Sequence, residues 1–323
     1  MELMYGRDLS EHISSRPGYN GTSILSYALR FGTDQACFEH LWQVRYSDGL
    51  VCPACGQSGQ WQKNWETQHV QHVCTHVVSP LADTLVHKTT IPLSLWFYAL
   101  LHFANCAEGI ETTFLARQLG LSIPKARRVM AQIRLHIAAL QSKDKPCGDQ
   151  TEIFVRLETL VQVPNLEPHK GNKTHIFFIA AGGKVDASVV EDPRRADLGA
   201  LIRQKAPRAR IIRTTCKRTA RILGVYNHTL ADVFLDPDHF RRKSAQTDAI
   251  AGFKSYILPA LKNREERVLK HQLWLYLKEF EFRYNRRNRS QNTYWDMVGD
   301  FPTLGEAEIE ALRAHNHLRA SRL

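Results

Sequence analysis

The sequence predicts a multidomain α+β protein: a metal-knuckle and helix-turn-helix N-terminal part, then a mixed α/β domain. Three observations carry this reading. Cys52 and Cys55 form a CxxC, and Cys74 follows with several histidines around it. Residues 110–140 have the layout of a helix, a tight turn and a second helix. From residue 150 the pattern changes to β-branched runs that alternate with helices.

Composition bounds the partners. The 323 residues carry 43 Lys plus Arg against 32 Asp plus Glu, a formal net charge of +11. Such a surplus favours a polyanionic partner, nucleic acid before a membrane. Residues 1–13 include Glu2, Arg7, Asp8 and Glu11 and lack the apolar core of a signal peptide. The uncharged run over 89–107 contains Pro92, Ser94, His102 and Asn105, so it reads as a buried helix rather than a membrane span. Seven cysteines, two of them in a CxxC, suit a reducing compartment and a metal site better than a disulfide framework.

Taken in order, residues 1–34 have no clear periodicity and read as an arm, with a turn cluster at 16–21. Residues 37–46 predict a short amphipathic helix closed by Ser47, Asp48 and Gly49. The knuckle at Cys52 and Cys55 lets two thiolates meet one zinc ion. No second CxxC follows; His69, His72, Cys74 and His76 are what the chain offers. The expected set is Cys52, Cys55, Cys74 and one histidine, with His72 favoured. The alternative is a ribbon that has lost its metal and persists as a hydrophobic hairpin.

Residues 91–104 form the apolar helix, which predicts a third helix packed on the helix-turn-helix. In that motif Phe114, Leu115 and Leu119 share helical spacing, small Ala116 permits close approach and Gly120 ends the first helix. Leu121 fills the corner, Ser122 is an N-cap candidate and Pro124 lies in the next first turn. Ala126, Val129, Met130, Ile133, Ile137 and Leu140 form the inward stripe of the second helix. Lys125, Arg127, Arg128, Gln132 and Arg134 take the other faces and are the candidate DNA contacts. Residues 142–149 read as a linker.

Beyond it, strands are expected over 152–163, 174–181, 185–190, 209–214 and 231–235, with Gly182 and Gly183 marking a hairpin. Helices are expected over 195–205, 217–223, 246–258 and 264–285. In the last, Leu273, Leu277, Phe280 and Tyr284 make an apolar stripe, and Glu279 precedes Arg283 by one turn. Residues 201–221 hold eight basic side chains and no acid; Arg213, Lys217 and Arg218 are taken as a phosphate-tracking surface. The stretch after Asp300 reads as a charged helix and tail. The resulting division is an arm at 1–34, a zinc-ribbon-like part at 35–90, a helix-turn-helix at 91–142, a mixed α/β domain at 150–299 and a C-terminal helix and tail at 300–323.

Four segments carry a family resemblance. They are Arg45-Tyr-Ser-Asp-Gly-Leu-Val-Cys-Pro-Ala-Cys-Gly56, Asp83-Thr84 through Ile91-Pro92-Leu93 and Trp96, Leu115-Ala116-Arg117-Gln118-Leu119-Gly120, and Leu277-Lys-Glu-Phe-Glu-Phe-Arg-Tyr-Asn-Arg286. Over residues 35–295 their order resembles the zinc-ribbon transposases of bacterial insertion sequences, related to the Merlin group of DDE transposases. The resemblance implies a ribonuclease-H-like second domain holding two catalytic divalent metals on carboxylates. The corresponding slots fall at Leu157, at Thr215 and at 247–251, where Asp248 and Ala251 stand at the usual Asn and Glu positions. Glu158 adjoins the first slot, but one step along a strand reverses the sheet face. The ribbon departs too, with Gln71 in place of a third cysteine.

These features imply a transposase-derived, catalytically inactive protein that binds double-stranded DNA as a homodimer or larger oligomer, cytoplasmic and nucleoid-associated. Structural Zn²⁺ is expected and catalytic Mg²⁺ is not. One alternative is an active DDE transposase with carboxylates drawn from Glu152, Glu158, Asp186, Asp232, Asp236 and Asp248. The other is a non-catalytic subunit of a larger DNA-processing assembly.

Overall fold

The computed structural model describes residues 22–59, 61–106, 109–145, 147–160, 174–193, 197–224, 232–235, 245–262, 268–288 and 293–318. It is mixed α+β. Its contacts divide the chain into two compact units, Met1–Ile133 with Arg286–Thr303, and Arg134–Asn285 with Leu304–Leu323. The boundary therefore falls inside one helix, and the chain returns to the first unit after leaving it.

The first unit begins with α1 (Ile24–Phe31) and α2 (Asp34–Arg45). Helix α1 lies in the stretch expected to be an arm; its N-cap is Ser23, which accepts from the Ser26 N–H. The remainder of that arm, residues 1–21, lies outside the described residues. A three-stranded antiparallel sheet follows, β1 (Trp61–Asn64), β2 (His69–His72) and β3 (Val77–Val78). Next come α3 (Leu93–Asn105), α4 (Thr112–Leu119) and α5 (Ile123–Asp144), the last crossing into the second unit.

Helix α3 lacks a side-chain cap of its own. The Asp34 carboxylate supplies one, accepting from the Ser94 N–H at 2.9 Å and hydroxyl at 2.6 Å. Residues 286–303 contribute α10 (Thr293–Val298) to this unit. The Tyr294 ring lies 6.1 Å from Phe31, and His40 bonds the Val298 carbonyl at 2.8 Å. These residues follow the second domain in sequence, yet aromatic packing draws them to the N-terminal helices.

The second unit is built on a six-stranded sheet. Its strands are β4 (Glu152–Leu160), β5 (Thr174–Ala181), β6 (Lys184–Val190), β7 (Ile211–Thr214), β8 (Asp232–Leu235) and β9 (His317–Leu318). The order is β8-β7-β4-β5-β6-β9. Strands β4, β5 and β6 are antiparallel neighbours, β7 runs parallel to β4 and β8 parallel to β7. Gly182 and Gly183 have φ of 56° and 75°, the left-handed pair that a two-residue hairpin demands.

Among the described residues, five helices complete the unit, besides the end of α5: α6 (Leu198–Lys205), α7 (Lys217–Gly224), α8 (Ala245–Lys262), α9 (Leu273–Asn285) and α11 (Glu306–Asn316). Leu157 and Phe177 share one sheet face with Leu198, Leu201 and Leu223 of α6 and α7. Phe178 faces the other way, 6.2 Å from Phe253 of α8. Two expectations change here. The expected linker is helical to Asp144, and Cys147 is buried in the core. The expected tail adds β9 to the edge of β6.

Periodicity gives α9 one apolar stripe, but Lys278, Glu279, Glu281 and Arg283 are also buried. Glu279 accepts from Arg134 and Arg283 at 2.6 Å each, and Arg134 also sits 4.0 Å over the Tyr276 ring. Glu281 accepts the Ala187 N–H of β6 at 2.6 Å and takes Lys278 on both oxygens. Asn285 bonds both the N–H and the carbonyl of Val185, each at 2.8 Å. The strand edge that β9 leaves uncovered is thus satisfied by helix side chains.

Two stability effects follow. Glu279→Ala strands two buried guanidinium groups and should cost about 3–5 kcal/mol in denaturant unfolding. Glu310→Ala, which breaks a solvent-facing pair with Arg313, should change it by no more than about 1 kcal/mol. In the first unit, burial lowers the His102 pKa to about 4. An unfolded histidine protonates near pH 6.5, so the unfolded chain binds the extra proton first and stability falls as pH drops from about 6.5 towards 4. The loss from this group should approach roughly 3 kcal/mol, and His102→Leu should remove about that much of the pH dependence of the unfolding free energy measured in urea.

Candidate metal centre and nucleic-acid interface

The backbone brings the knuckle together in a short turn. The Gly56 N–H donates to the Cys52 carbonyl at 2.8 Å and the Cys52 N–H to Gln57 at 2.9 Å, with Gly56 at φ 71°. Strand β2 delivers His72, and the turn after it delivers Cys74. One ligand atom from each of Cys52, Cys55, His72 and Cys74 lies within 4.8 Å of all the others. Cys52 and Cys74 sulfurs are 3.5 Å apart, and His72 Nδ1 is 3.1 Å from Cys74 and 3.6 Å from Cys55.

Tetrahedral bonds of about 2.0–2.3 Å place neighbouring donors roughly 3.5 Å apart, so the four residues fit a single divalent metal. His72 turns Nδ1 to the sulfurs. Its Nε2 is buried, and a Cβ on Gly59 would come within 2.7 Å of it. Gly59 is therefore required by close approach, a role no spacing in the sequence announces. Trp61 packs on the His72 ring at 4.9 Å and anchors its own indole N–H on the Leu50 carbonyl at 3.1 Å.

Burial works against the Cys52 thiolate, but the N–H groups of Cys55 and Ala54 and the Cys74 side chain outweigh it and lower the thiol pKa. For Cys55 the Gln57 N–H favours the thiolate, yet burial and competition from Cys74 and Cys52 leave its pKa raised. A metal ion held by these residues would resolve that competition by taking all the sulfurs deprotonated.

Helices α4 and α5 meet at a left-handed corner. Gly120 has φ 63° and its N–H reaches the Ala116 and Arg117 carbonyls, while the Leu121 N–H bonds Ala116 at 2.9 Å. Leu115, Ala116 and Leu119 of α4 are buried, as are Ala126, Val129 and Met130 of α5. Lys125, Arg127 and Arg128 are exposed, and Gln132 is half-buried. Arg134 is a correction to the predicted DNA contacts: it is buried in the Glu279 ion pair, because the face it occupies packs inward by that point of the helix.

Of the second basic group, Lys217 and Arg218 are exposed. Arg213 is half-buried and paired with Glu152.

The positions that the resemblance aligns with metal slots fall on different faces of the sheet. Leu157 packs against α6 and α7, and its N–H donates to Thr219 of α7 at 3.1 Å. Helix α8, which carries the third slot at Asp248 and Ala251, covers the opposite sheet face. That face belongs to Glu158, which pairs with Arg156 and, at 3.0 Å, with Lys254. Among the described residues, Lys254 of α8 and Arg156 of β4 hold the Glu158 carboxylate.

Thr215 lies past the end of β7. Beside it, burial opposes ionisation of Cys216, but hydrogen bonds from Thr219 and Arg218, with the charge of Arg156, lower its thiol pKa. Glu152 is paired with Arg213, and Asp186 with Lys205 and Lys278. Asp236 and the side chains of Asp232 and Asp248 lie outside the described residues. Among the described residues, the Cys52–Cys55–His72–Cys74 group is the cluster of three or more ligating side chains that could hold a metal.

Comparison of the chain with protein-family models, curated proteins and solved structures returns no match. Among the described residues, no helix is long and apolar enough to cross a membrane.

The centre makes a direct demand on composition. Elemental analysis of the purified chain should find about one divalent transition metal per molecule, and Cys74→Ala should reduce it several-fold. Cobalt substitution should give the intense thiolate charge-transfer bands of a sulfur-rich tetrahedral site. Their absence in the metal-loaded wild-type chain would rule the centre out.

Proposed function

We propose that this chain is a transposase-derived DNA-binding protein that recognises a double-stranded site and does not cut it. The observation that carries the reading is the start of α5. Lys125, Arg127 and Arg128 are all exposed there, directly after a left-handed glycine turn and opposite a buried apolar stripe. A helix with that disposition can lie in a major groove with its N-terminal turns over base edges and phosphates. The net charge of +11 supplies the long-range attraction.

The small sheet with its Cys₃His cluster is read as a zinc ribbon, and zinc is the metal that best suits three sulfurs and one imidazole. The second unit is read as a ribonuclease-H-like domain. Support comes from its three antiparallel strands followed by two parallel ones on the far side of the first. Two-metal phosphoryl transfer needs carboxylates that clamp both ions. Glu158 instead faces Arg156 and Lys254, Thr215 is neutral, and no acid occurs between Gly199 and Asp232. The domain then serves as a scaffold and basic platform, with Lys217 and Arg218 available to phosphate. The working form is a homodimer or larger, associated with the nucleoid in the cytoplasm.

The test begins with selection of bound sequences from a random duplex library, followed by affinity measurements over a range of salt. Lys125→Ala/Arg128→Ala should lower the salt slope by about one for each phosphate that the two side chains neutralise. If either residue reads a base, about 1–3 kcal/mol of discrimination should go as well. Incubation of the selected duplex with Mg²⁺ or Mn²⁺ should yield no nicks. Wild-type binding by the double variant would refute this placement, and cleavage abolished by Glu158→Ala would restore an active enzyme.

A further inference from the structure

We propose that the second unit binds a small oxyanion of the phosphate class in a cavity walled by Lys145, Lys205 and Lys278. The cavity has a volume of about 280 Å³ and is lined from the last turns of α5, α6 and α11, from β6 and from α9. Nothing in the DNA-binding reading requires it, and none of the proposed DNA contacts lines it.

Donors outnumber acceptors around this space. Asp186 contributes the one carboxylate among the lining residues, and Lys205 and Lys278 share it at 2.6 and 3.2 Å. Lys278 is otherwise taken up by both oxygens of Glu281. Lys205 makes one further bond, to Asn316 Oδ1 at 2.8 Å, which leaves one of its three N–H groups. Lys145 stands exposed at the end of α5 with no carboxylate partner among the described residues. Ser142 and Gln204 also line the cavity, and neither has a side-chain partner among the described residues. Each group left over can donate, and two of them are cationic.

The electrostatics point the same way. Burial lowers the Lys205 pKa to about 8; Asp186 opposes the shift and the neighbouring Lys278 adds to it. His315 lines the same cavity, and its pKa is lowered by burial, then by Lys205 and Lys145. A tetrahedral oxyanion presents several acceptors at once and would relieve both shifts through charge-assisted hydrogen bonds. A rival role exists for the lysines. Three helix C-termini end here, and cations there neutralise partial negative charge. That role predicts no response to added anion.

The chemistry is shared by free phosphate and by the terminal phosphate of a nucleic-acid strand, and the experiment separates them. The full chain, in phosphate-free buffer at constant ionic strength, is titrated calorimetrically with inorganic phosphate and with chloride. Parallel titrations use a short 5′-phosphorylated oligonucleotide and its unphosphorylated twin. Histidine NMR follows His315, whose pKa should rise when phosphate occupies the cavity.

Saturable phosphate binding, weakened at least five-fold by Lys145→Gln and more by Lys205→Gln, supports the proposal. Should Lys205→Gln fail to fold, Lys145→Gln with Ser142→Ala carries the same test from the exposed side. Preference for the phosphorylated strand assigns a strand end, whereas equal response to the twins assigns free phosphate. An absence of saturable binding, an unmoved His315 titration, or wild-type affinity in Lys145→Gln would overturn it.

Discussion

The second unit depends on one helix that cannot be packed as an ordinary amphipathic element. Helix α9 buries four charged side chains, and each must meet a partner or impose a large desolvation cost. Glu279 is held between two guanidinium groups, and Glu281 takes Lys278 while accepting a strand N–H. Burial still pushes Glu281 up to about 7 despite Lys278, so the carboxylate is held at the limit of what the site sustains. These pairings fix the rotation of α9 and its height along β6. They also remove the open edge on which another chain could pair.

The knuckle answers a different shortage. Strands β1 to β3 are short, and Val51, Val73 and Val77 remain exposed, so the small sheet has little apolar area to bury. Val70 and Cys52 are among its few buried residues, and His72 is buried with its ring against Trp61. Four donors meeting at one point can replace a core, because metal binding free energy is folding free energy in such units.

On the sheet of the second unit, the face under α8 has its own charge pairing. That face carries a carboxylate at Glu158, and Lys254 of α8 and Arg156 of the same strand supply its counter-charge. An ammonium and a guanidinium neutralise a carboxylate as a metal would, yet neither offers open coordination positions for an attacking or a leaving oxygen.

Much of this was legible from local chemistry. The CxxC, the glycine pair at 182 and 183 and the Gly120 corner each specify a backbone conformation within a few residues, and the elements around them follow. His72 stands out from the neighbouring histidines for a local reason too, since β2 turns it towards Cys74 within two residues. What depends on distant partners was not legible. Arg134 reads as surface until Glu279, 145 residues away, is folded against it. The closing segments at 286–303 and 304–318 separate into different units through packing on α1–α3 and on β6, which no periodicity encodes. Which side of β4 faces α8 was likewise decided only when the helices packed. Strand alternation fixes which residues share a face, while the tertiary structure alone decides what covers it.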